Sequence, residues 1–164
     1  MKLKLILATL AVLLVTTARP ASAQTPIELT GLVQRFASFT IAAAGVGTEV
    51  GISTSSTTIA SAVVGEVNFG HTEGSSVLEV LGGYRAKKKV SDKYSVFFGA
   101  VGGLVHFTGE TDFMFIPRGG VIIPMEGKSY SVKLQAGIPV IFFGDGFHET
   151  GFEIAGGVIF NLGN

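Results

Sequence analysis

The 164-residue chain has no cysteine and no tryptophan, and only 15% of its residues are charged. Without cysteine there is no disulfide framework and no thiolate metal or redox centre. The sparse charge excludes the basic stripe that nucleic-acid binding requires. After residue 15 no apolar run approaches the roughly 20 residues of a membrane-spanning helix. Sustained helical periodicity is missing as well. Yet the mean hydropathy is +0.52, so the apolar residues must be spread over strands.

Glycine and phenylalanine are abundant instead, at 23 and 13 residues. The first 23 residues, "MKLKLILATLAVLLVTTARPASA", carry Lys2 and Lys4, a short apolar run and a closing Ala21-Ser22-Ala23. That is the pattern of a cleaved signal peptide. The expectation is therefore a signal over residues 1–23 and one exported domain over 24–164. Setting aside Lys2, Lys4 and Arg19 leaves nine basic residues against twelve acidic ones.

Period-2 alternation bounded by Gly, Ser, Asp and Lys clusters recurs along the domain and predicts eight strands. They fall near 28–36, 44–53, 57–69, 76–86, 93–107, 112–125, 129–142 and 150–162. The first alternates poorly, and "FASFTIAAAG" fits either that strand or a loop. Pro117 and Pro124 are expected to flank a shortened sixth strand, and Pro139 to impose a break or bulge. Short connections and an even strand number suit an all-β, antiparallel up-and-down barrel.

The two faces of the strands differ. In "SYSVKLQAGIPVIFFG" one face carries Tyr130, Val132, Leu134, Ala136, Ile138 and Val140, the other Ser131, Lys133, Gln135 and Gly137. Across the strands the polar face is mostly Gly and Ala, with Glu49, Glu66, Glu79, Arg85, Arg118, Lys133 and Glu153 among them. Such a set fits a narrow eight-stranded lumen, with the apolar face turned to lipid. The fifth strand is apolar on both faces and does not discriminate. The lumen charges are read as a structural network, with Lys133 paired to Glu153 and Arg35 a further candidate member. Unpaired buried charge is costly, so the network must be internally matched.

"FMFIPRGGVIIPMEGKSYSVKLQAG" and "GFEIAGGVIFNLGN" resemble the penultimate hairpin and closing strand of the small bacterial outer-membrane β-barrels, similar to the OmpA and OmpX transmembrane domains. The resemblance covers roughly residues 44–164. It implies a transmembrane barrel in the cell outer membrane, contacting its lipids and, during biogenesis, its assembly machinery. No cofactor or nucleic-acid partner is implied, and a monomer is expected.

If both ends of the barrel face the periplasm, His71, His106 and His148 share the outer rim with Glu73, Glu110, Asp112, Asp145 and Glu149. Such a rim could bind a metal or sense pH, but no paired-histidine spacing is present and a solvated rim is the simpler reading. Lys87, Lys88, Lys89, Lys93 and Lys128 gather on the other rim, as solvated turns or as contacts to anionic headgroups. His106, Thr108 and Glu110 could form a catalytic set. The His-x-Ser pattern of lipid A deacylases is not met, however, because residue 108 is threonine, so no catalytic residue is assigned. The contrasting function is a soluble periplasmic, lipocalin-like carrier of an apolar ligand, which needs the opposite orientation of the same alternation.

Overall fold

The computed structural model describes residues 25–52, 59–107 and 109–162. The signal segment, the start of the expected third strand (57 and 58) and Thr108 lie outside them. Ten strands follow in chain order: β1 (Thr25–Arg35), β2 (Thr40–Ile52), β3 (Ile59–Thr72), β4 (Ser75–Lys89), β5 (Ser95–His106), β6 (Thr111–Pro124), β7 (Tyr130–Gly137), β8 (Val140–Phe142), β9 (His148–Thr150) and β10 (Phe152–Leu162). All pairings are antiparallel, and β1 against β10 closes the sheet into a barrel.

The ten strands make eight staves. Against β6, the pairs Arg118–Gly137 and Phe115–Val140 keep one register through the gap between β7 and β8. The gap is the break expected at Pro139, without a bulge. β9 and β10 likewise form one stave, and the Gly151 amide donates to the Pro139 carbonyl at 2.8 Å.

Three expectations about the strands need correction. The sixth strand is not shortened, because β6 runs through Pro117 to Pro124. Pro117 is accommodated because its partner stave is interrupted at the same level, and its carbonyl still accepts from the Ile138 amide at 3.1 Å. The stretch "FASFTIAAAG" belongs neither wholly to β1 nor to a loop. A tight turn in which the Phe36 amide donates to the Phe39 carbonyl hands the chain to β2 at Thr40. Finally, β1 begins at Thr25, earlier than the alternation suggested.

Alternation places the apolar face outward, where Leu29, Val33, Val63, Phe69, Phe98, Leu134, Phe152 and Ile154 are each at least half exposed. The lumen is layered. One rim carries Thr25, Leu162 and the turns after β4 and β6; it is called here the terminal rim. Toward the opposite rim an apolar cluster of Phe36, Ile41, Val64, Val77, Leu81, Val101, Val105, Met114, Ile116 and Ile141 fills the interior. Phe97, Ile122 and Ile159 form a smaller cluster toward the terminal rim. Most of the charged side chains lie between them, while Glu79 sits within the larger cluster between Val77 and Leu81 of its own strand. The fifth strand, ambiguous by pattern, turns Phe97, Val101 and Val105 inward and Phe98 and Leu104 outward.

Candidate functional site

The inward positions of seven staves converge on one polar network. Arg85 Nη1 donates to Glu28 Oε2 at 3.0 Å and to Glu49 Oε2 at 3.2 Å. Its Nη2 lies 3.8 Å from Glu66 Oε1, and its guanidinium stands 5.0 Å over the Phe97 ring. Arg118 Nη1 donates to Glu66 Oε2 at 2.6 Å and Nη2 to Glu153 Oε2 at 3.1 Å. Its Nε makes an ionic contact of 2.9 Å with Glu153 Oε1. Glu153, with no exposed surface, also accepts from Gln34 and Gln135, each at 2.9 Å. Lys87 Nζ donates to Glu49 Oε1 at the terminal edge of this layer.

Lys133 is fully buried, but its partner is Glu28 rather than the expected Glu153. In the register Lys133 is level with Gly157 of β10, and Gly157 is level with Thr30 of β1. With no side chain on the intervening stave, the lysine reaches across to β1, while Glu153 is already taken by Arg118. Arg35 is not a member. It faces outward at the opposite rim and donates to Thr40 Oγ1 at 2.6 Å, because alternation from Glu28 puts Gln34, not Arg35, inside.

Inward glycines make room for these long side chains. A Cβ on Gly47 would stand 3.2 Å from Glu66 Cγ, and one on Gly137 would stand 3.0 Å from Arg118 Cγ. Glu79 differs from the other lumen carboxylates. Among the described residues it makes no ion pair; Oε2 accepts from Asn68 Nδ2 at 2.8 Å and Oε1 is unmatched. A cavity of about 10 Å³ remains beside Glu66, Arg85, Phe97 and Arg118, about the space of one water.

Glu28, Gln34, Asn68 and Lys87 complete the network and were not picked out by pattern. Glu28 and Gln34 belong to β1, where inward Leu32 interrupts the polar alternation. Asn68 is one polar residue in an otherwise apolar stretch of β3. The usable signal is the pairing of lone charges with glycines at the same level of neighbouring strands.

The rim histidines are not brought together. His71 is exposed on β3, His106 Nδ1 lies 2.8 Å from Thr111 Oγ1, and His148 packs beside Phe142 and Phe147. Among the described residues no group of three His, Asp or Glu side chains is placed to hold a metal. Glu149 is engaged by the Ser38 amide and hydroxyl at 2.7–2.9 Å. At the terminal rim Lys89 Nζ lies 2.6 Å from Asp92 Oδ1, and its hydrogen bond and charge hold Asp92 below the ordinary carboxylate range.

This closed, side-chain-filled barrel with an apolar outer wall is the fold of the small outer-membrane β-barrels. The outer membrane enzyme PagL superposes with a TM-score of 0.58 at 11% identity, over 79% of this chain and 97% of its own. Neisserial surface protein A superposes with a TM-score of 0.56 at 8% identity, over 84% and 96%. No protein-family model matches the chain, and no curated protein matches it in sequence.

Proposed function

We propose that this chain is an exported integral barrel of the outer membrane, with a plugged lumen and a structural or surface-interaction role. The observation that carries the reading is the polarity of the wall. Its outward face carries exposed large apolar side chains on all eight staves, whereas Lys133, Glu79 and Glu153 have no exposed surface at all. A soluble barrel would reverse that order, since exposed apolar patches of this extent mark membrane or partner contact. The lipocalin-like alternative is disfavoured on the same ground, and its ligand space is occupied by the two apolar clusters and the charged layer.

The lumen network serves as a plug. Each cation has at least one carboxylate, and Glu153 has its hydrogen-bonding capacity met from three staves, which is what makes buried charge tolerable. A catalytic role is not part of the reading: the His-x-Ser pattern is absent, and His106 Nδ1 meets the hydroxyl of Thr111, the residue that pairs with it at the β5–β6 turn. The test is fractionation: after a carbonate wash the protein is expected in the membrane pellet and to require detergent for release. Recovery in the soluble fraction would overturn the reading.

A further inference from the structure

The two rims are electrically opposite. Of the six lysines after residue 24, Lys133 is buried in the lumen and the other five stand at the terminal rim. Lys87 is tied to Glu49 and Lys89 to Asp92. Lys88, Lys93 and Lys128 form no ion pair among the described residues, and Glu126 is the remaining acid of this rim. The opposite rim carries five acids and a single arginine, Arg35.

Register shows which way Lys88 points. Lys87 reaches inward to Glu49, so Lys88 lies on the outer wall, level with Ile59 of β3 and Val96 of β5. Just above it on that wall are exposed Phe98 and Tyr84, whose hydroxyl lies 2.5 Å from Ser61 Oγ. Tyr94 is 40% exposed in the turn that holds Lys93. An ammonium beyond a ring of aromatic side chains is what a headgroup layer over acyl chains receives, with the rings at the boundary and the charge among phosphates.

We propose that the terminal rim, centred on the β4–β5 connection with Lys88 and Lys93, is a contact surface for anionic phospholipid headgroups. The inference rests on the membrane reading above. Tyr84, Tyr94 and Tyr130 are the three tyrosines of the chain, there is no tryptophan, and all three lie in the terminal half. Intrinsic tyrosine fluorescence therefore reports this rim.

The full barrel is reconstituted in vesicles of equal parts phosphatidylglycerol and phosphatidylcholine, with brominated chains on one lipid or the other. Brominated phosphatidylglycerol is expected to quench about twofold more than brominated phosphatidylcholine, and the preference should fall as salt rises. Lys88→Ala with Lys93→Ala should remove the preference, whereas Lys88→Arg with Lys93→Arg should keep it, with far-UV circular dichroism reporting an intact sheet. Equal quenching by the two lipids in the wild type would overturn the headgroup contact and leave the membrane reading standing. No quenching by either lipid would overturn both.

Discussion

Lys133 and Glu79 show how two buried charges in one lumen differ in what they require. Lys133 has Glu28 as its ion-pair partner, so Glu28→Gln strands an ammonium and is expected to cost about 3–5 kcal/mol. Adding Lys133→Met should recover part of that loss. Lys133→Met combined with Glu153→Gln should show a weaker coupling than the Glu28 pair, because those two residues belong to one network but share no direct bond. Glu79 offers the contrast. No cation is orphaned by Glu79→Gln, and the Asn68 amide still finds an oxygen, so the unfolding temperature in detergent should hold or rise. A large fall for Glu79→Gln would show that its charge is used. Lys133 was recognisable from alternation alone. Its partner was not, because Glu28 comes from the far end of the chain and reaches it only through barrel closure and the bare Gly157.

Among the strands, glycine position decides where side chains can be added. Gly137 faces inward, and its would-be Cβ meets Arg118 Cγ and Ile116 Cγ2 at 3.0 Å. Gly137→Val should therefore destabilise by about 1–3 kcal/mol through overpacking. Gly31 faces outward with nothing within 4 Å, so Gly31→Val should be tolerated or stabilising, as β-branched residues suit a strand. Thermal melts of both variants in detergent compare the two directly, and equal losses would contradict the inside–outside assignment of β1 and β7. The break at Pro139 was legible because a proline cannot donate to a ladder. That Pro117 could stay inside β6 was not legible. It depends on Pro117 standing level with Ile138, inside the break before Pro139, so that its missing amide faces an existing gap.

Over the whole barrel, closure of the lumen predicts its electrical behaviour. The ten-residue apolar cluster seals the opposite half, and ion pairs knit the middle. Planar-bilayer recordings should show no stable porin-sized conductance; sustained large openings would contradict the plug. If the chain is exported as proposed, N-terminal sequencing of the envelope protein should begin at Gln24, and a start at Met1 would contradict signal cleavage.

Strand number, the inside–outside assignment and the place of the β7–β8 break were determined by the sequence. Each follows from a local property: period-2 alternation, the chemistry of alternate residues, or one missing amide. The charge pairings, the apolar layers above and below them, and the exclusion of Arg35 were decided by the tertiary structure. They depend on register between strands up to the full length of the domain apart, and a pattern within one strand carries no information about the level at which its neighbour sits.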